Sequence, residues 1–260
     1  MCLVAISYKQ NKEFPLIMLA NRDEFYDRPS KRVHFWEDHP DIYAGRDVER
    51  GGTWLGVTKS GRFACVTNIR EPLNETEDHE FISRGELVRG FLSSTTPAKE
   101  YVESIRQQKD DFQGFNLIAG TIDDVYYYSN RLHALQKLTP GNYYVSNSTL
   151  NVTWPKIDTL KTAVETEIMN ETAYPALIDK GLHILQSTMT YPDHVLPDTG
   201  VGLELERLLS PVFIQNETYG TRVSTIVLFD KDGKRFIAEQ GYGENGVQEE
   251  RIEKIIHRNA

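Results

Sequence analysis

Apolar and polar residues alternate from the first positions of the chain. Leu3–Tyr8 and Pro15–Ala20 read as two strands joined by the polar turn Lys9–Phe14. Residues 52–58 and 62–69 repeat this pattern around Lys59-Ser60-Gly61 and predict a second hairpin. The period then lengthens. Arg84–Leu92 and Lys99–Lys109 fit helices, the second with Pro97 near its start. Strand character returns at Phe115–Gly120, Val125–Asn130 and Tyr143–Ser146. Amphipathic helices are predicted over Ile157–Met169 and Pro175–Gln186, with a short one at Leu203–Leu209. The last hairpin joins Val223–Phe229 to Arg235–Glu239 through Asp230-Lys231-Asp232-Gly233. Strands crowd both ends and helices fall in two central blocks. This segregation predicts an α+β layered fold with mainly antiparallel sheets rather than alternating βαβ units. No repeat or Pro/Gly/Ser-rich linker interrupts the chain, so residues 1–260 read as a single domain.

Composition narrows the partners. The chain has 260 residues, 39 % hydrophobic, enough for a sizeable core. A net charge of −9 argues against a nucleic-acid partner, although one cleft can still be basic. The only cysteines are Cys2 and Cys65, which gives no indication of a disulfide framework and excludes a zinc site of paired cysteines. The start has no signal-peptide pattern, and no apolar run reaches the roughly 18 residues of a membrane span. A cytoplasmic protein without membrane insertion is expected. On that basis the sequons at Asn74, Asn147, Asn151, Asn170 and Asn216 carry no glycosylation meaning. There is no GxGxxG after a strand, no P-loop and no HExxH, and no cofactor is expected.

The first hairpin carries the candidate chemistry. With its turn near residues 11–12, residue 2 lies opposite residues 20–22, and directly opposed Cβ atoms are about 5 Å apart. Cys2 is therefore expected beside Arg22 and Asp23. A guanidinium lowers a neighbouring thiol's pKa, and the thiolate is the nucleophile. Excision of Met1 would give Cys2 a free α-amine with a pKa of about 7.7–8.0, able to act as base for its own thiol and to be oriented by Asp23. The plainer alternative is that Cys2 is a small core residue and Arg22 and Asp23 an ordinary ion pair.

Several stretches resemble the NRDE family, also called the Transport and Golgi organization protein 2 family. They are MCLVAI at the start, LANRDEFYDRP at 19–29, AGRDVERGGTWLGVTKSGRFACVTNIREP at 44–72, SRGELVRGFL at 83–92, YYVSNSTLNVTWPKI at 143–157 and YGTRVSTIVL at 219–228. That family in turn resembles the cysteine N-terminal-nucleophile hydrolases, which include penicillin V acylases and bile salt hydrolases. The resemblance implies a four-layer αββα sandwich. It implies a catalytic set of Cys2, Arg22 and Asp23, with Asn147 in an oxyanion hole, Asn68 as a further donor and Arg222 near the thiol. Here Arg22 and Asp23 are adjacent, whereas the acylases separate the two residues. Asn147 can equally cap a turn, and Arg222 can be a structural ion-pair partner. Trp54 and glycines 51, 52 and 56 read as packing and turn residues.

The implied activity is hydrolysis of a C–N amide bond, other than a peptide bond, in a small amide or acyl compound, through an acyl-enzyme on Cys2. The alternative is a non-catalytic binding or trafficking protein for haem, acyl-CoA or lipid on the same fold. The chain has no CxxCH for covalent haem attachment and no CxxC for a thiol redox role.

Overall fold

A computed structural model of the protein describes residues 2–72 and 80–257. Met1 and the Asn74 sequon lie outside the described residues. The opening hairpin pairs β1 (Cys2–Tyr8) with β2 (Leu16–Phe25). A meander follows through β3 (Ser30–Phe35), β4 (Ile42–Asp47), β5 (Leu55–Thr58) and β6 (Phe63–Asn68). Helices α1 (Gly85–Ser93) and α2 (Ala98–Gln107) precede β7 (Phe115–Gly120), β8 (Val125–Ser129), β9 (Ala134–Lys137) and β10 (Gly141–Val145). Helix α3 (Pro155–Ala163) runs into a π-turn at Val164–Ile168. It is followed by α4 (Tyr174–Leu185) and α5 (Leu203–Leu208). The chain returns through β11 (Tyr219–Phe229), β12 (Arg235–Tyr242) and β13 (Gln248–Ile256).

The strands form two antiparallel sheets. One has the order β10-β1-β2-β11-β12-β13, the other β3-β4-β5-β6-β7-β8-β9. Strand periodicity sorts side chains into layers. Val4, Ile6 and Tyr8 on β1 face the second sheet, where they meet Phe63, Cys65 and Tyr127. Their neighbours Leu3 and Ala5 point the other way, into Ile157, Leu160, Leu177 and Leu182 of α3 and α4. On the far side, Ala64, Val66, Leu117 and Ala119 pack on Leu87, Val88 and Phe91 of α1 and Val102 of α2. The molecule is the expected αββα sandwich. Each buried aliphatic or aromatic side chain contributes about 1.5–3 kcal/mol, so the three apolar layers dominate its stability.

Four strands, β3, β4, β9 and β13, lie outside the sequence pattern. In β3 and β13 charged residues occupy exposed positions of edge strands, which hides their periodicity. Strand β2 also runs past Ala20 to Phe25, carrying Asn21-Arg22-Asp23-Glu24 within the sheet between β1 and β11.

Candidate active site

The first turn sets the register of the site. Lys9 adopts a left-handed φ of 54°, and Asn11 Oδ1 accepts from the N–H groups of Glu13 (2.9 Å) and Phe14 (3.0 Å). With this Asx-type turn fixed, Cys2 pairs with Arg22 and Leu3 with Asn21. On the other flank of β1, Val4 pairs with Val145, the last pair of that ladder, and Asn147 follows two residues beyond it.

Asn21 is consumed by structure. Its Nδ2 donates to the carbonyls of Leu185 (2.8 Å) and Val212 (2.9 Å), and its Oδ1 accepts from Ser224 Oγ (2.6 Å). Asp23 is 2 % exposed, and its Oδ1 accepts from Thr221 Oγ1 at 2.8 Å. Burial pushes its carboxyl pKa up, against the opposing influence of Lys156, the Thr221 hydroxyl and Arg22. Arg22 lies 3.6 Å from Glu24.

A cleft of about 310 Å³ opens beside these residues at the ends of both sheets. Cys2, Arg22, Asp23, Glu24, Val223 and Glu239 form its wall from the first sheet. Lys31, Arg32, Arg46, Asp47, Val66 and Asn68 belong to the second. Residues 49–54 and 81–85 close it with connecting segments. Cys2 itself is 6 % exposed, and burial drives its thiol pKa up to about 11. Arg22 acts in the expected downward direction but is outweighed by burial, helped by Asp23 and Glu24. In this state the thiol is protonated at neutral pH.

The remaining sequence candidates separate. Asn68 lines the cleft, and its carbonyl accepts from Asn147 Nδ2 at 3.1 Å. Asn147 is buried behind it, with its carbonyl taking the Arg70 N–H at 2.7 Å and its Oδ1 the Ser146 hydroxyl at 3.3 Å. Arg222 does not line the cleft. It is the extra residue of a β-bulge, since Asp23 pairs with Thr221 and Arg22 with Val223. Its Nη1 donates to the carbonyls of Phe25 (2.9 Å), Tyr26 (3.1 Å) and Arg28 (3.2 Å), clamping the β2–β3 turn.

Arg84 lines the cleft but was hidden in the sequence by the helical pattern of residues 84–92. It occupies the N-cap of α1, where the macrodipole disfavours a cation. That misfit is the one sequence signal that singles it out. Two glycines hold it in place. A Cβ on Gly52 would sit 2.6 Å from the carbonyl carbon of Gly85, so helix α1 meets the 52–53 segment backbone to backbone. Burial lowers the Arg84 pKa, and the opposing influences begin with Cys2. Among the described residues no cluster of His, Cys, Asp and Glu suits a metal ion. No described helix is long and apolar enough to cross a membrane.

The sequence matches a family model described as Transport and Golgi organisation 2 over residues 1–244. The chain belongs to this family. A human Transport and Golgi organization protein 2 homolog is 34 % identical over 252 residues, covering 90 % of each chain. A mouse homolog is 32 % identical over 255 residues, with the same coverage, and a Drosophila member 24 % over 263 residues, covering 92 % of each chain. Solved structures extend the likeness to N-terminal-nucleophile hydrolases. A Caenorhabditis elegans ortholog of N-acylethanolamine-hydrolyzing acid amidase superimposes with a TM-score of 0.50 at 9 % identity, covering 87 % of this chain and 92 % of that one. A mutant conjugated bile acid hydrolase from Clostridium perfringens gives 0.50 at 6 % identity, covering 98 % and 92 %. At these identities the structural likeness establishes that this Transport and Golgi organisation 2 chain has an N-terminal-nucleophile hydrolase fold.

Proposed function

We propose that this protein is a cysteine N-terminal-nucleophile hydrolase that cleaves the C–N amide bond of a small molecule. The observation that carries the reading is the Cys2–Arg22 pairing, with Asp23 adjacent and Asn68 lining the same cleft. Removal of Met1 frees the Cys2 amine, which Asp23 orients and which takes the thiol proton. The thiolate attacks the amide carbon, and the resulting oxyanion accepts hydrogen bonds at Asn68, which Asn147 holds in place. The protonated amine returns the proton to the leaving nitrogen as the C–N bond breaks. Water then attacks the thioester, its proton passes through the amine, and the acid leaves as the thiol re-forms. Arg22 favours the thiolate, and Arg222 supports the site through the carbonyls of the β2–β3 turn.

The test is the intact mass of protein from its native host, followed by trapping with an acyl electrophile. The reading expects loss of one methionine and a single acyl adduct that Cys2→Ala abolishes. Activity persisting in Cys2→Ala, or Met1 retained on the active protein, defeats it. The burial of Cys2, which is 6 % exposed, leaves room for one other reading, a ligand-binding protein for haem, acyl-CoA or lipid without turnover. In that case saturable binding survives Cys2→Ala and no adduct forms.

A further inference from the structure

The first sheet ends at β13, and among the described residues no strand pairs with its outer edge. The strand reads Gln248-Glu249-Glu250-Arg251-Ile252-Glu253-Lys254-Ile255-Ile256 and lies beyond residue 244, where the family match ends. Its successive side chains face opposite ways. Ile252 and Ile256 pack on the layer between the sheets. Arg251 turns to the helix side, 2.8 Å from Asp179 of α4 and 2.5 Å from Glu253. Gln248–Glu250 and Glu253–Ile255 are exposed. The open N–H and C=O groups of such an edge are a template for a further strand.

The order of charges decides which strand fits. Charged edges usually protect a sheet against pairing. That protection fails where the charges of two copies meet with opposite sign. Two copies of β13 run antiparallel about a two-fold axis only in registers that set one residue opposite itself, because facing residues must both point their N–H and C=O groups at the partner or both point them away. An axis at Glu249, Glu250, Arg251, Glu253 or Lys254 puts like charges face to face. An axis at Gln248, Ile255 or Ile256 overlaps only an end of the strand. An axis at Ile252, the midpoint, spans the whole strand. There Arg251 faces Glu253 of the second copy, Glu250 faces its Lys254, and the two Ile252 side chains meet on the axis. The irregularity against β12 falls between Gln248 and Arg251, so the central pairs of residues 251–253 come from the regular part of the edge.

We infer that the chain associates with a second copy of itself through β13, in a two-fold dimer whose axis passes Ile252 and in which the two β13-edged sheets become continuous. The half-buried Ile252 carries the apolar layer between the sheets across the axis. Arg251 and Glu253, paired within one copy, join their counterparts in a cluster of alternating sign. The dimer edge also bears on the cleft, since Arg32 of the cleft wall donates to the Glu250 carbonyl at 3.1 Å. The dimer requires no chemistry at Cys2 and is independent of the hydrolase reading.

The test is sedimentation velocity of the full chain from about 1 to about 100 μM, a range suited to a small edge-to-edge interface. A dimer that grows with concentration is expected. Arg251→Glu sets glutamates opposite one another on both sides of the axis, and Glu253→Arg does the same with arginines. Each variant alone is expected to dimerise at least about tenfold more weakly. An equimolar mixture of the two restores every opposite-sign pair and is expected to form a heterodimer with the wild-type affinity. Because Arg251 also holds Asp179, the same exchange is made at the second pair, with Glu250→Lys and Lys254→Glu, in case the first variants fold poorly. Ile252→Cys is expected to give a disulfide-linked dimer under mild oxidation. Glu249→Cys is expected to give none, since its two copies lie about 20 Å apart in this register. A monomer at every concentration overturns the inference, as does a dimer that the single variants retain. Variants that lose the dimer separately and fail to recover it together also overturn it.

Discussion

Cys2 and Asp23 share a buried patch in which each charged group is costly alone. Lys156 is the balancing cation. It is 4 % exposed on α3, donates to the Leu209 carbonyl at 2.9 Å, and has its pKa pulled down to about 8 by burial, with Asp23 opposing. The unfolded chain holds that proton to about 10.5, so folding below pH 8 carries the full penalty of a buried ammonium. The penalty is relieved as pH rises from about 8 to about 10.5. Urea unfolding of wild type and Lys156→Met across this window should show the difference in stability moving in favour of the wild type. A flat difference would show that Lys156 has no such depressed pKa. At this scale the sequence was legible where the backbone decides: the polar turn Lys9–Phe14 placed residue 2 opposite residues 20–22, and the Asn11 turn of the structure narrows this to the Cys2–Arg22 pair. It was not legible where burial decides, since the depth that overrides Arg22 at the thiol comes from the packed sheets. The bulge that turns Arg222 away from the cleft likewise depends on the partner strand.

Among the helices, α1 is the one that reaches the cleft lining, through Gly85 and its N-cap Arg84. Its first turn is pressed against residues 52–53 by a pair of glycines, and Arg84 sits at that junction. Gly52→Ala would put a methyl carbon 2.6 Å from the Gly85 backbone and force the two segments apart. It is expected to cost about 1–3 kcal/mol in denaturant unfolding, while a neutral change is the contrary result. The glycines read from the sequence as packing residues have that role here, and the site depends on it. Periodicity found the helices and inner strands, whose faces are apolar. It missed β3 and β4, which supply Lys31, Arg32, Arg46 and Asp47 to the cleft, because strands that line a polar site lose the alternation that marks a strand.

At the scale of the molecule, an ion pair between the half-buried Arg32 and the buried Glu239 ties the two sheets together at the cleft. Glu239 on β12 accepts from Arg32 Nε and, at 3.1 Å, from the Val33 N–H, both on β3. Burial raises its pKa while Arg32 opposes the rise. Arg32 also donates to the carbonyls of Glu239 (3.0 Å) and Glu250 (3.1 Å). Glu239→Ala leaves Arg32 Nε and the Val33 N–H without this acceptor, while Arg32 keeps its two carbonyls, and is expected to lower stability by about 1–3 kcal/mol, read from the midpoint of urea unfolding. Glu239→Gln, which keeps an acceptor, should lose less. A loss below that of a surface substitution would mean that the sheets are held by their apolar layers alone.

Strand β2 lies between β1 and β11, so the floor of the cleft cannot be loosened without unzipping a central part of the sheet. The opposite rim, residues 49–54 and 81–85, is connecting segment and the first turn of a helix, whose opening needs no such rupture. The cavity is therefore mechanically lopsided, with an anvil of paired strands under the thiol and, across from it, a lip of two segments coupled to each other through the Gly52–Gly85 contact. Any adjustment to ligands of different bulk falls to the lip, whose two segments would have to move as one.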